Sequence, residues 1–353
     1  MTDLDDITAR TEALAAARRW TEACDLLAAA AIETILGHET LAFRFAESLY
    51  YTARFPDLAR YAVAYEESAR RSSDGLGVMR AINLAGIAAF ELGRMDEARQ
   101  RFEALMGLAL AERHEEMQAH AANNLGTIAS LRGDHEAALC HYGRCLRLYE
   151  RLDQVRGVAQ TTYNQGLTYS ELGRFADAVT QFDRAIALSE SIGHTPVVVM
   201  ARTARAELEV RRGDAGLGRA LADRAIELAR EIDDPVSIAE ALRVRALATS
   251  GVLSAALDDL ARAEELASET EQALLGARIL RDRGRILLGA GQHAPGTRCL
   301  DEATERFAAL DAAGEVRTIR AELARLASSS RMAEPAAPDD HGSPGAAGGR
   351  SPG

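Results

Sequence analysis

The chain has 353 residues, of which 47% are hydrophobic and 5% aromatic, and its formal net charge is −12. This acidic balance is a poor match for nucleic acid, because affinity for phosphates depends on basic residues, and all the basic residues here are arginines. The missing lysines also exclude a phosphate-loop lysine and a Schiff-base lysine. No apolar run reaches the roughly 18 residues of a membrane span, and the N-terminal residues lack the pattern of an export signal. We expect a cytoplasmic protein that binds neither nucleic acid nor membranes.

In the first part of the chain, residues 1–75, the sequence predicts helix pairs that are degenerate, meaning that they match the later repeating units only weakly. One pair is expected within residues 3–35, with its turn near Arg18–Trp20, and a second within residues 39–71. Pro56 marks the start of the second helix of that second pair, because the fixed φ of proline fits the first turn of a helix.

Residues 76–191 contain three well-matched units, at about residues 78–112, 115–151 and 155–191. Apolar residues recur three and four positions apart on both sides of a glycine, which predicts helix, tight turn and helix in each unit. The units superimpose at a constant offset of 40 residues. The matched positions are Gly126 with Gly166, Gly133 with Gly173, Ala138 with Ala178, and Tyr142 with Phe182.

This pattern resembles the tetratricopeptide repeat in a 40-residue form, over about residues 5–311. The resemblance implies an all-α, right-handed α-solenoid of stacked antiparallel helix pairs. Weaker units and a capping helix are expected over residues 192–327, in pairs at about 196–231, 235–267 and 272–311. From Ser328 to residue 353 the composition predicts a disordered tail, because it lacks the apolar residues that order a chain.

Five glycines are expected to end the first helix of a pair in a left-handed conformation. They are Gly93, Gly133, Gly173, Gly213 and Gly291.

No constellation of residues predicts catalysis, a cofactor or a metal site. The eight histidines include no pair spaced i, i+4, so no helix presents two metal ligands one turn apart. The four cysteines are expected to be reduced packing residues, since Cys140 and Cys145 do not share a helix face. The sequence therefore predicts that the protein is not an enzyme.

The resemblance implies that the first helices line a concave groove that receives a peptide. Its groove positions fall on Arg80, Asn83, His120, Asn123, Asn124, Gln160, Tyr163 and Asn164. Asn124 and Asn164 occupy the same slot of adjacent units, and a carboxamide can both donate to and accept from a peptide backbone. The alternative is that these polar residues simply form a solvated helix face.

The later units place arginines at the corresponding end of the groove: Arg243, Arg278, Arg281 and Arg285. If they are free, this end is basic and favours an acidic segment or a chain terminus as partner. The alternative is that neighbouring carboxylates, such as Asp282 or Glu240, neutralise them.

The function that follows is a non-catalytic scaffold or adaptor that binds a peptide or protein segment in its groove. One alternative is a regulator whose repeat array senses a peptide and changes curvature. Another is a subunit of an enzyme whose catalytic residues lie on a separate chain. Fold alone does not choose among these, and the sequence does not identify the partner, the pathway or the oligomeric state.

Overall fold

The computed structural model describes residues 4–17, 19–270 and 272–333. The helices of this part of the chain are α1 (Leu4–Ala16), α2 (Trp20–Ala28), α3 (Ile32–Leu36), α4 (Glu39–Tyr51), α5 (Phe55–Arg71), α6 (Gly75–Glu91), α7 (Met95–Ala111), α8 (Glu115–Leu131), α9 (His135–Arg151), α10 (Val155–Glu171), α11 (Phe175–Ser191), α12 (Thr195–Arg211), α13 (Ala215–Glu231), α14 (Pro235–Ala248), α15 (Leu253–Glu269), α16 (Ala273–Gly289), α17 (His293–Ala309) and α18 (Ala313–Ala333). No described helix is long and apolar enough to cross a membrane.

From α4 to α17 the helices form stacked antiparallel pairs, so the molecule is an all-α solenoid. The first helix of each pair also contacts the first helix of the next pair, from α4 through α16. Since the shorter spacing lies on the inner side of a curved array, these first helices line the concave face. The second helices form the convex face.

Tight turns connect the two helices of a pair, and the five predicted glycines have the expected left-handed conformation. Their φ angles are 74° at Gly93, 81° at Gly133, 72° at Gly173, 93° at Gly213 and 78° at Gly291. A left-handed residue satisfies the last carbonyl groups of the preceding helix and reverses the chain. This prediction from the sequence is confirmed.

The two helices of each matched unit approach most closely at a glycine. A Cβ atom on Gly126 would lie 2.6 Å from the ring of Tyr142, and one on Gly166 would lie 2.6 Å from the ring of Phe182. Ala138, on the other helix, is completely buried. The small residues of the 40-residue pattern therefore make room for an aromatic ring between the helices.

The N-terminal region differs from the single helix pair expected within residues 3–35. Three helices occupy it, because the chain leaves the helical path at residues 29–31, between α2 and the short α3. Both α1 and α2 pack against α4. Arg18, within the expected turn, lies outside the described residues, and α2 begins at Trp20.

The C-terminal helix α18 covers the end of the last pair, as the amphipathic pattern after Glu315 predicts. It runs from Ala313 to Ala333, past Ser328, where the composition predicts that order ends. Residues 334–353, the remainder of the predicted tail, lie outside the described residues. Ile319 of α18 is completely buried, in a cluster with Leu300 and Phe307 of α17.

Candidate functional site

Four asparagines on three successive first helices form a hydrogen-bonded series on the concave face. Asn164 donates from Nδ2 to Oδ1 of Asn123 at 3.0 Å. Asn123 donates to Oδ1 of Asn124 at 3.5 Å, and Asn124 donates to Oδ1 of Asn83 at 3.1 Å. We call Asn83, Asn123, Asn124 and Asn164 the asparagine relay. It joins α6, α8 and α10 side by side.

The relay uses only part of the hydrogen-bonding capacity of its amides. Each carboxamide has two N–H donors and two acceptor lone pairs, and within the relay each spends at most one donor and one lone pair. All four side chains are half-buried, so part of each remains exposed to solvent. Mutual hydrogen bonds also hold each amide in a fixed orientation, which lowers the entropy lost when a ligand binds.

Gln160 and Tyr163 lie on the same face of α10 as Asn164. Both are half-buried, and the ring of Tyr163 packs 6.2 Å from that of Phe182. Burial raises the pKa of Tyr163, and the negative charge of Glu240 on α14 adds to this effect.

At the N-terminal end of the groove, Arg80 and His120 already have partners. Arg80 donates to Oε1 of Glu39 at 2.7 Å, and its guanidinium lies 5.1 Å from the centre of the Phe43 ring. His120 approaches Glu116 at 3.9 Å, and this contact lowers the pKa of Glu116 to about 2. These two side chains frame the relay and are less free to bind a ligand than the sequence suggests.

The arginines of the later units belong to a buried network rather than to a free basic surface. Only 2% of the Arg243 side chain is exposed, and its guanidinium bonds Glu207, Glu240 and Asp282. The Nη1 atom of Arg243 lies 2.5 Å from Oδ2 of Asp282, which is 1% exposed. Arg243 therefore connects α12, α14 and α16 from within.

The other three arginines extend the same network. Arg281 bonds Asp282 at 2.8 Å and Glu315 at 2.7 Å. Arg278 lies 3.3 Å from Glu240, and Arg285 lies 3.0 Å from Glu322 on α18. We call these four arginines and their five carboxylates the charge cluster; the carboxylates are Glu207, Glu240, Asp282, Glu315 and Glu322.

The charge cluster is not basic, because its five carboxylates exceed its four guanidinium groups. Burial alone would raise the pKa of Asp282, but Arg281 and Arg243 outweigh it and hold that pKa below its ordinary value. Glu207 behaves in the same way, since Arg243 outweighs its burial and lowers its pKa. Asp282 and Glu207 thus stay charged at neutral pH. Of the two interpretations of these arginines, neutralisation by neighbours is the one that the structure supports.

The four cysteines differ in exposure. All four are free; Cys24 and Cys145 are buried, Cys299 is half-buried and Cys140 is exposed, which differs from the expectation that all are packing residues. Burial raises the pKa of Cys145 to about 12, so its thiol is unreactive at neutral pH. Among the described residues, no group of three or more histidine, cysteine, aspartate or glutamate side chains could hold a metal ion.

Two features of the site were not predicted from the sequence. In the relay, hydrogen-bonded partners on neighbouring helices are 41 residues apart. Asn83 and Asn123 lie three residues before the glycine of their own helix, whereas their partners Asn124 and Asn164 lie two residues before the glycine of the next helix. The partners Glu207, Glu315 and Glu322 were also missed. Their signal was present, since each lies 34 to 37 residues from the arginine that it binds, close to one repeat length.

Comparison with known proteins identifies the repeats and finds similar folds. Two family models of the tetratricopeptide repeat match the chain, one over residues 77–151 and the other over residues 159–192. None of the curated proteins compared with the chain matches its sequence.

Several solved structures are similar to the fold. A Rap protein complexed with competence and sporulation factor has 12% identity and a TM-score of 0.63, over 93% of this chain and 98% of that chain. The Rap conjugation gene regulator of the plasmid pLS20, in complex with a Phr peptide, has 14% identity and a TM-score of 0.62, over 87% and 93%. Aspartyl phosphate phosphatase F from Bacillus subtilis has 13% identity and a TM-score of 0.63, over 75% and 70%.

At these identities the likeness concerns the fold alone. The matched repeats, the helix pairs with their left-handed turn glycines, and the solenoids of similar shape all agree. The chain contains tetratricopeptide repeats, over residues 77–151 and 159–192.

Proposed function

We propose that the chain is a non-catalytic adaptor that binds an extended peptide or protein segment on the concave face of its solenoid. The asparagine relay is the observation that carries this proposal. Its amides are fixed by one another at 3.0–3.5 Å and keep unused donors and acceptors. An extended backbone offers a donor and an acceptor at each residue, so it can pair with such a row whatever its side chains.

The similar structures support a peptide as the ligand class. One is complexed with competence and sporulation factor and another with a Phr peptide, and both cover nearly the whole of this chain. Because the identities are 12% and 14%, their ligands are not transferred to this protein. They support the proposal that a protein with this fold binds a peptide segment.

The charge cluster does not favour a purely acidic partner. Arg243 and Arg281 have side chains that are 2% and 9% exposed, but Arg278 and Arg285 are 35% and 33% exposed, beside Glu207 and Glu240 at 30% and 26%. A ligand that reaches this end of the groove therefore meets guanidinium and carboxylate groups together. A segment that carries both charges or none fits it better than a purely acidic one, because the cluster has five carboxylates and four guanidinium groups.

A second candidate is a regulatory protein whose repeat array changes curvature when it binds a peptide. The observation that favours it is a small contact between distant units of the solenoid, in which Arg132 bonds Asp311 at 2.8 Å. A contact of this size can break without unfolding either unit. Both candidates share the groove as the binding surface.

Site-specific photo-crosslinking tests the groove directly. A photo-reactive phenylalanine in place of Tyr163 should capture a partner segment from native extract, whereas the same residue in place of the exposed Arg147 on α9 should not. Digestion and mass spectrometry of the crosslinked product then identify the segment. Capture at position 147 without capture at position 163 would contradict binding on the concave face.

A further inference from the structure

The solenoid contacts itself across a gap of about half its sequence. Arg132, in the turn between α8 and α9, donates to Oδ2 of Asp311 at 2.8 Å, although the two residues are 179 apart. Arg317 of α18 donates to the backbone oxygen of Arg132 at 3.0 Å. The turn between α17 and α18 therefore rests on the turn between α8 and α9.

Small residues allow the two turns to touch. A Cβ atom on Gly314 would lie 3.3 Å from the backbone oxygen of Leu131 and 3.6 Å from Cα of Gly133. The neighbouring turn takes part as well, since a Cβ atom on Gly93 would lie 3.3 Å from the side chain of Leu310. Backbone meets backbone at this contact, which a chance encounter between long surface side chains would not produce.

One residue at this contact departs from the pattern of its own repeat. Leu131 is the last residue of α8, and the same slot holds Glu91 in α6, Glu171 in α10 and Arg211 in α12. In the later units this slot is used for an ion pair, with Arg211 bonding Glu171 at 2.9 Å. Leu131 instead packs against the apolar cluster that includes Ala312 and Ile319. An apolar side chain at position 131 is therefore suited to contact with α18.

From these contacts we infer that the turn preceding α18 and the first turn of that helix act as a clasp, which closes the solenoid into a ring and controls access to its concave face. The clasp consists of Leu131, Arg132 and Gly133 on one side and Leu310, Asp311, Gly314 and Arg317 on the other. Its role as a gate rests on the proposed function, because access matters only if the concave face binds a partner. The closure itself does not depend on that proposal.

The clasp is small enough to open. Its central ion pair is partly exposed, with 27% of the Arg132 side chain and 48% of the Asp311 side chain open to solvent, and such pairs stabilise weakly and are screened by salt. α18 keeps its own packing when the clasp opens, because Ile319 lies against Leu300 and Phe307 of α17. Opening therefore separates two intact halves of the ring.

The experiment reverses the charge at the clasp and measures both the shape of the protein and access to its interior. In Arg132→Asp the new carboxylate faces Asp96 and Asp311, both of which Arg132 bonds in the parent protein. Small-angle scattering should show a radius of gyration larger by roughly a tenth than that of the parent protein. Adding Asp311→Arg should restore the parent value.

Access is measured with Gln160→Cys, which places a thiol on the face of α10 that carries Asn164, in a background with Cys140→Ser and Cys299→Ser. A bulky maleimide should label this thiol about ten-fold faster in Arg132→Asp than in the parent. Loss of the Arg132–Asp311 pair, and the repulsion between two carboxylates that replaces it, shift the closed–open equilibrium by about that factor. A small alkylating reagent should react at nearly equal rates in both. Equal rates with the bulky reagent would overturn the gate.

Arg212→Asp is the matched control. Arg212 occupies the equivalent slot of the turn between α12 and α13 and bonds Glu209 of its own unit. Its reversal should change neither the scattering nor the labelling. As a second variant, Arg132→Cys with Asp311→Cys, in the background with Cys140→Ser and Cys299→Ser, should be joined by a short bifunctional thiol reagent. Unchanged scattering in Arg132→Asp, with no crosslink in the double-cysteine protein, would show that the ring is not closed in solution. That result would leave the proposed peptide binding untouched.

Discussion

The side chain of Asn124 donates a hydrogen bond to Asn83 at 3.1 Å, across helices α6 and α8 of adjacent repeats. The same contact recurs one repeat later, where Asn164 donates to Asn123 at 3.0 Å. The groove asparagines thus contribute to packing between repeats as well as to the surface that a ligand would meet.

This coupling can be measured in unfolding experiments. Asn83→Ala and Asn124→Ala should each lower the free energy of unfolding by about 0.5–1.5 kcal/mol, and the double variant should lose less than the sum. In the matched cycle, Asn83→Ala with Gln160→Ala should be additive, because these two side chains do not contact each other. Additivity in the first cycle would mean that the hydrogen bond does not form in solution.

Close packing at Gly126 predicts that even one added carbon destabilises the protein. A Cβ atom there would lie 2.6 Å from the Tyr142 ring, so Gly126→Ala forces the ring to move and should cost about 1–3 kcal/mol in urea unfolding. Ala138→Leu should cost at least as much, since Ala138 is completely buried.

Gly107 on α7 is the control for this prediction. It is also a helical glycine, but a Cβ atom there would meet nothing within 4 Å. Gly107→Ala should therefore stabilise the protein by up to about 1 kcal/mol through helix propensity. Equal effects at positions 107 and 126 would contradict the packing described for the helix pair.

The charge cluster predicts a large loss on removal of Arg243. Arg243→Met removes the guanidinium that pairs Asp282, Glu207 and Glu240, so the free energy of unfolding should fall by about 3–5 kcal/mol. Adding Asp282→Leu should not recover that loss, because Arg281, whose side chain is 9% exposed, then loses its partner Asp282 as well. A loss below about 1 kcal/mol for Arg243→Met would show that the pair is solvated.

Because of Glu91, the free energy of unfolding should depend on pH. Burial raises the pKa of Glu91 to about 7, and within the described residues its carboxylate has no ion-pair or hydrogen-bond partner. The same position of the next repeat holds Leu131, which cannot form an ion pair with Glu91. Glu171, at this position one repeat later, does have a partner, because Arg211 bonds it. Because the folded state has the higher pKa, it binds more protons than the unfolded state between pH about 4.5 and 7. The contribution of Glu91 to the free energy of unfolding therefore falls as the pH rises through this window.

Glu91→Gln removes this penalty. The variant should be more stable than the parent by about 1–3 kcal/mol at pH 8 and nearly equal to it at pH 4, as measured by urea unfolding. Glu171→Gln is the control and should gain nothing at pH 8, since its carboxylate already has a partner. If Glu91→Gln gives the same change at both pH values, the carboxylate is solvated.

The periodic part of the fold could be predicted from the sequence because it depends on local features. The 40-residue match, the turn glycines and the small residues at Gly126 and Ala138 each act between two helices that are close in the chain. The break at residues 29–31 was missed, since the alanine-rich sequence there favours helix and has no proline or glycine to signal an end.

The site was less predictable because it depends on how strongly the solenoid curves. Stacking of neighbouring first helices brings Glu207 and Asp282 to Arg243, about one repeat length away. Curvature brings Asp311 to Arg132, and no local pattern specifies that curvature. The sequence placed the arginines on the right helices but could not tell whether they were free. Which face binds a partner stays a prediction.

Calorimetry with the crosslinked segment, made as a synthetic peptide, tests the central claim most directly. Asn124→Ala with Asn164→Ala should weaken binding roughly ten-fold or more, because each lost hydrogen bond to the peptide backbone contributes about 0.5–1.5 kcal/mol. Arg147→Ala, on the exposed face of α9, should leave the affinity unchanged. Unchanged affinity in the asparagine variant together with lost binding in Arg147→Ala would place the site on the convex face and contradict the account.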